Sequence, residues 1–210
     1  MNPGAGRLIA LEGIDGCGKS AQARILSEAL GALLTFEPGA TELGALLRTV
    51  LLDHGRPSPG PRSEALLMAA DRAQHVDEVL VPTLAEGRWV VTDRYSGSTV
   101  AYQGWGRELG AATLAPVLDF AAGGLAADLA VLVDVPLDLA RERLATLAPD
   151  RLERLDEGFH DRVRRGFLAQ AAEDPLRWGV VDGAGTVEEV AAQVSALVHE
   201  RLGAAPGVWS

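Results

Sequence analysis

The stretch Gly13-Ile14-Asp15-Gly16-Cys17-Gly18-Lys19-Ser20 decides the fold. It matches G-x-x-x-x-G-K-[ST], a loop whose glycines let backbone N–H groups close round a phosphate chain. The apolar run before it, Arg7–Glu12, predicts a strand, and Ser20–Leu30 after it carries Ile25, Leu26, Ala29 and Leu30 at helical spacing. Strand, glycine-rich loop and helix N-terminus together make an anion site, because the first helical amides and the helix dipole both face the loop. Lys19 is the only lysine among nineteen basic residues. A compact ammonium on a flexible stem can lie along such a loop as a point charge, where a planar guanidinium would overfill the space.

Length and composition bound the rest. At 210 residues, with 48% hydrophobic and 23% charged residues, the chain can bury a full core as a single domain. A net charge of −10 leaves no room for a broad basic stripe, so no nucleic acid is expected as a partner. A small phosphorylated ligand remains compatible, since a few arginines and backbone amides make a local anion site. The single cysteine excludes an intrachain disulfide and fits a reducing compartment. Met1–Gly6 is too short and polar for a signal peptide, and no apolar run approaches the roughly 20 residues that span a bilayer. The expectation is a soluble cytoplasmic protein with no membrane partner.

Short apolar runs alternate with helical periodicity, the pattern of a parallel sheet flanked by helices. Further strands are expected at Ala32–Phe36, Trp89–Thr92, Leu129–Asp134 and Trp178–Asp182. Helices are expected at Thr41–Leu52, Ser63–Glu86 (capped by Ser63, kinked at Pro82), Leu109–Ala122, Leu137–Leu147, Glu157–Ala172 and Val187–Leu202. The fold class is therefore α/β: a three-layer P-loop NTPase fold with a central parallel sheet of about five strands and a short lid segment. One domain spans 1–210, with the lid at about 144–156 and a frayed tail at 203–210.

The chemistry follows from two motifs. Gly13, Ile14, Asp15, Gly16, Cys17, Gly18 and Lys19 cradle the phosphates of a nucleotide, and Ser20 supplies a hydroxyl for Mg²⁺. Val90-Val91-Thr92-Asp93-Arg94 ends a buried strand on a carboxylate, the placement of a Walker B acid that reaches Mg²⁺ or its waters. Arg94 stands at the mouth of the same crevice, where it can clamp a transferred phosphoryl or an accepting phosphate. A GTPase switch needs a second lysine to read guanine, and none exists.

Five segments in register resemble thymidylate kinases over Leu8 to about Leu202. They are Leu11-Glu12 with the P-loop; Glu37-Pro38-Gly39-Ala40-Thr41 followed by Arg48; Ala70-Asp71-Arg72-Ala73-Gln74-His75; Asp93-Arg94-Tyr95 through Ser98 to Ala101-Tyr102-Gln103-Gly104; and Asp150-Arg151-Leu152-Glu153 before Phe159 and Arg162-Val163-Arg164. The resemblance implies transfer of the terminal phosphoryl of ATP, with Mg²⁺, to dTMP, and a homodimer formed through central helices. It implies that Asp15 contacts the acceptor's sugar 3′-hydroxyl, that Arg48 and Arg94 grip its phosphate, and that Arg72 donates to thymine O4. Glu37, Pro38, Met68, Ser98 and Gln103 would line the acceptor site, with Tyr102 against the deoxyribose. Arg151, with Arg141, Arg143 and Arg154, falls in the lid, so Arg151 is expected to reach the ATP phosphates. The alternatives are a related deoxynucleoside or deoxynucleoside-monophosphate kinase with altered base preference, and a non-catalytic nucleotide-binding protein.

The chain departs from the family pattern in several places. Met68 stands where an aromatic residue commonly stacks on the base, Phe36 where arginine is common, and Gly97 where an acid is common. The lid between Leu144 and Asp150 carries no arginine. Trp105 is expected to pack under its loop, and Arg154, Arg162 and Arg165 to lie on a solvated helix face. His54, His75, His160 and His199 have no metal-ligand spacing and read as structural. Cys17 lies near a helix N-terminus and Lys19, both of which lower a thiol pKa; it reads either as an inert small side chain at a permissive loop position or as a reactive thiol whose alkylation blocks ATP binding.

Overall fold

A computed structural model describes residues 6–53, 55–145 and 150–203. Its core is a parallel sheet of five strands in the order β2-β3-β1-β4-β5, with β1 at Leu8–Glu12, β2 at Leu33–Phe36, β3 at Val90–Asp93, β4 at Leu129–Asp134 and β5 at Trp178–Asp182. Every residue of β1 is buried. Alternate side chains of this central strand serve two apolar layers. Ile9 and Leu11 join Leu26, Leu30 and Val194, while Leu8 and Ala10 join Val76 and Leu80. Helices α1 (Lys19–Leu30) and α9 (Val187–Leu202) pack on each other, and α8 (Glu157–Glu173) packs on β4 and β5.

The chain leaves β1 between β3 and β4, so the loop after it opens at the switch point of the sheet. Leu11 lies in register with Asp93 of β3 and with Val131 of β4. That register sets the carboxylate of Asp93 beside the glycine-rich loop.

Helices α2 (Glu42–Leu52), α6 (Ala111–Ala122) and α7 (Leu137–Leu144) fall close to their expected bounds. The expected end of α7 at Leu147 lies outside the described residues, as do much of the lid and all of the tail beyond Gly203. The long helix differs in two ways. Helix α3 (Pro61–His75) is opened by Pro61 after Gly60, not capped by Ser63, because proline gives up only an amide that has no helical acceptor at that position. It then widens into a π-helical segment, Val76–Leu80, before α4 (Val81–Ala85). Pro82 has no N–H to donate to the preceding turn, and the backbone adjusts its hydrogen-bond ladder there.

One element escaped the sequence pattern. Ser96–Thr99 forms a helical turn, α5, that continues as a π-helical segment, Val100–Gly106. Its composition, with Gly97, Gly104 and Gly106, reads as loop. Its cap comes from another strand: the Glu12 carboxylate accepts from Tyr95 N at 3.0 Å, Ser98 N at 3.2 Å and Ser98 Oγ at 2.6 Å. A Cβ on Gly97 would stand 2.6 Å from the Trp178 ring and 2.9 Å from Glu12, so only glycine lets this turn sit so close. An acidic side chain at that position would have no space here.

Candidate active site

The glycine-rich loop is held by positive φ. Gly18, at φ 92°, delivers the chain into α1, whose first residue is Lys19. A Cβ on Gly16 would fall 2.4 Å from the Ala140 carbonyl oxygen, so the loop lies directly on α7. Lys19 is 5% exposed and its Nζ sits 3.5 Å from both the Ile14 carbonyl and Asp15 Oδ1. Ser20 Oγ donates to Asp93 Oδ2, while Asp93 Oδ1 is buried with no protein partner. An orphaned carboxylate oxygen beside a hydroxyl and a phosphate loop fits a hard cation such as Mg²⁺.

Asp15 anchors a network on the other side of the loop. Arg94, in a left-handed backbone conformation at φ 75°, donates through Nη1 to the Gly13 carbonyl at 3.1 Å and to Ser98 Oγ at 3.0 Å. Its Nη2 donates to Asp15 and to Tyr102 Oη at 3.2 Å, and the guanidinium lies 4.9 Å from the Tyr102 ring centre. Tyr102 Oη in turn donates to Asp15 Oδ2 at 2.6 Å. Burial works to raise the Asp15 pKa, but Arg94, Lys19 and the bond from Tyr102 prevail and hold it well below the carboxylate range. Glu12 goes the other way: burial outweighs its bond from Ser98 and the nearby Arg94, and lifts its pKa to about 7.

One pocket collects most of the expected acceptor residues. Asp15, Arg94, Ser98 and Tyr102 line it beside the loop; Glu37, Pro38, Met68, Arg72 and Gln103 line the remainder. Arg72 is 2% exposed. Its Nε and Nη2 donate to Glu37 Oε2 at 3.0 and 2.8 Å, its guanidinium lies 5.3 Å from the Tyr95 ring centre, and its Nη1 has no partner. Gln103 donates from Nε2 to Glu64 at 3.0 Å. Sequence reasoning missed Leu52, Tyr95, Thr99 and Leu152 in the lining. Tyr95, Thr99 and Leu152 lie within the matched segments, but with no charged group none of the four announced a role.

Other placements differ from expectation. Arg48 is not in the pocket lining; it is exposed, donates to the Pro38 carbonyl at 2.7 Å and lies 5.9 Å from the Phe36 ring centre. Phe36 thus lies against the Arg48 guanidinium. Arg151 does not face the loop in this conformation. It is 7% exposed and donates to the carbonyls of Val50, Asp53 and Arg56, gathering the C-terminal end of α2. Arg143 donates to the Cys17 and Gly183 carbonyls, at 3.4 and 3.0 Å. Arg141 lines a second cleft that shares Asp15 with the first pocket and also holds Ile14, Glu153 and His160.

Cys17 is buried, and its pKa is raised because desolvation outweighs Lys19, which favours the inert side chain over the reactive thiol. Arg162 is not on a solvated face: it donates to the Gly106 carbonyl at 3.0 Å, closing the π-helical segment, whereas Arg165 is exposed and pairs with Asp161. Trp105 is 39% exposed and packs over Gly166, outside the pocket lining. His75 is fully buried and hydrogen-bonded, and His54 lies outside the described residues.

A parallel 2-3-1-4-5 sheet, a phosphate loop after its central strand and a strand-end acid bonded to the loop's serine define a P-loop nucleotide phosphotransferase. The thymidylate kinase family model matches residues 11–194. The chain is 45% identical over 212 residues to the thymidylate kinase of Cereibacter sphaeroides (strain ATCC 17029), covering 96% of this chain and 98% of that one. It is 46% identical over 206 residues to that of Clavibacter sepedonicus, covering 95% and 97%. The crystal structure of thymidylate kinase from Ehrlichia chaffeensis superposes with a TM-score of 0.78 at 27% identity, covering 93% of this chain and 99% of that chain. The protein belongs to the thymidylate kinase family.

Proposed function

We propose that this chain, as one kinase domain, transfers the terminal phosphoryl of ATP to dTMP, the reaction for which its family is named. The observation that carries the reading is Arg72 Nη1, a buried donor without a partner in the pocket that also holds Asp15 and Arg94. A guanidinium can give a hydrogen bond to a base carbonyl and cannot accept one from an amine, so it selects thymine over cytosine. Asp15, kept ionised by Arg94 and Lys19, accepts from the sugar 3′-hydroxyl. Tyr102 packs against the deoxyribose.

The acceptor's phosphate oxygen is already an anionic nucleophile, so no general base is required. Catalysis is alignment plus neutralisation of charge. Lys19 and the first amides of α1 hold the donor phosphates, and Arg94 holds the phosphate that receives the phosphoryl. Ser20 and Asp93 would hold Mg²⁺, which when bound neutralises charge on the donor phosphates. Arg141, in the cleft on the far side of Ile14 and Asp15, supports donor binding there. Arg151 braces the floor between α2 and the lid.

Two further features are part of this reading. The exposed Leu43, Leu46 and Val50 of α2 and Leu66 of α3 support pairing of two copies. No helix among the described residues is long and apolar enough to cross a membrane, and the acidic composition supports a cytoplasmic enzyme acting on small nucleotides. A coupled ADP-release assay across dTMP, dUMP, dCMP, dGMP and AMP tests the proposal. The expected order places dTMP first in kcat/KM. Equal turnover of dCMP would reassign the base choice, and no ADP release with any acceptor would return the chain to a nucleotide-binding role.

A further inference from the structure

Behind Arg72 runs a buried chain of hydrogen bonds that phosphoryl transfer itself does not use. Thr35 Oγ1 lies 2.7 Å from His75 Nε2, and His75 Nδ1 lies 2.9 Å from Glu37 Oε1. Thr35 and Glu37 are each 5% exposed and His75 is wholly buried. Arg72 and His75 stand three residues apart on α3, so one helix face carries both the pocket arginine and its brace. Glu37 follows β2 directly, and Thr35 lies within it.

The pairing of Arg72 with Glu37 is unusual in its geometry. A carboxylate and a guanidinium commonly meet fork to fork, each oxygen taking one N–H. Here both Arg72 donors, Nε at 3.0 Å and Nη2 at 2.8 Å, converge on the same oxygen, Oε2. The other oxygen, Oε1, is taken by His75. A carboxylate only accepts, so the imidazole proton facing it sits on Nδ1, and Nε2 is left to the Thr35 hydroxyl. With His75 in place, Glu37 has no second oxygen to offer, and Arg72 Nη1 stays uncommitted. Without it, Glu37 Oε1 becomes an acceptor that competes with a ligand for the guanidinium.

We infer that His75, acting through Glu37 and itself fixed by Thr35, is a positioning residue for base selection: it keeps one Arg72 donor free for the base. The inference rests on Arg72 reading the base carbonyl. The variants are His75→Phe, His75→Asn, which retains a donor toward Glu37, Thr35→Val and the control Arg72→Ala. Each is assayed for kcat and KM with dTMP, dCMP and ATP, with thermal melts to establish folding. His75→Phe is expected to raise the dTMP KM about tenfold and to shrink the preference for dTMP over dCMP by a similar factor, the scale of one hydrogen bond to a charged group. ATP KM and kcat should stay within about twofold, and His75→Asn should restore the dTMP KM to within about threefold of the parent.

Thr35→Val changes a single buried hydroxyl and gives the same readout, in the same direction and smaller, should His75→Phe not fold. If Arg72→Ala abolishes the base preference while folded His75 and Thr35 variants leave it unchanged, the inference is overturned and the base reading stands. If Arg72→Ala leaves the preference intact, Arg72 does not read the base and the inference falls with it. A uniform loss of kcat in the His75 variants, without a change in base preference, would also overturn it by making the chain merely structural.

Discussion

Arg94, half-buried, and Arg72, buried, line the same pocket and are both bonded to carboxylates, yet they are prepared for ligand in opposite ways. Arg94 has its two terminal nitrogens committed to Gly13, Ser98, Asp15 and Tyr102. A phosphate that takes Arg94 must displace one of these, and Asp15 is the acceptor a sugar hydroxyl can satisfy in exchange. Arg72 keeps a donor in reserve, with nothing to displace. On the proposed reading, the phosphate end therefore becomes competent by exchange of partners, and the base end is organised beforehand. Binding energy at the first is used for alignment, and at the second for selection.

The largest effects should fall at the phosphate end and on kcat. Lys19→Ala and Arg94→Ala are each expected to lower kcat by about two to three orders of magnitude or more, the scale of removing a charged donor from a developing phosphoryl charge. Circular dichroism should show an intact fold. A folded variant that retains turnover would remove that residue from catalysis and erase the contrast with Arg72, whose loss should act on dTMP KM and base preference first.

How far the site could be read in advance divides along the same line. The phosphate end was legible because its residues are consecutive: a loop pattern and a strand-end acid fix Lys19, Ser20, Asp93 and Arg94 without tertiary information. The five strands were legible as apolar runs, of which Leu129–Asp134 and Trp178–Asp182 match to the residue. The turn from Ser96 to Gly106 was not, since its cap is Glu12 on β1, and no local propensity announces a cap delivered from 83 residues away. The partners Arg151 has in this conformation were hidden for a related reason. Its lid position implied phosphate contact, but the deciding partners are carbonyls about a hundred residues earlier in the chain. Sequence alone leaves Cys17 between two readings, because proximity to Lys19 shows the charge and hides the burial.

A smaller effect would sharpen the base end. Met68 is half-buried, packs against the main core and lines the pocket with Arg72, so it presents a flexible thioether where a flat ring would stack on the base. Met68→Phe is expected to lower the dTMP KM by about two- to tenfold, the range of one aromatic stacking contact, with kcat nearly unchanged. Steady-state kinetics decide it. An unchanged or raised KM would mean that Arg72 and its brace already fix the base and the ring adds nothing.

The smallest effect concerns the ground on which Arg94 stands. Glu12 caps the turn that carries Ser98, and Ser98 in turn accepts from Arg94. Desolvation lifts the Glu12 pKa from 4.5 to about 7, above its value in the unfolded chain. Between those values the native state holds the proton more readily than the unfolded state, so this residue makes the protein less stable as pH rises through the window. Glutamine can keep the geometry: its oxygen accepts from Tyr95 N and Ser98 N, and its amide donates to Ser98 Oγ. Glu12→Gln should therefore melt higher than the parent at pH 8, by about 3 °C or more, with the difference shrinking toward pH 5. Asp71, raised to about 6, and Asp15, lowered, titrate in both proteins and cancel in the comparison. A melting difference that does not change with pH would show that Glu12 is not the titrating group. The buried carboxylate under the phosphate end would then be a fixed charge, held as firmly as the one that braces Arg72.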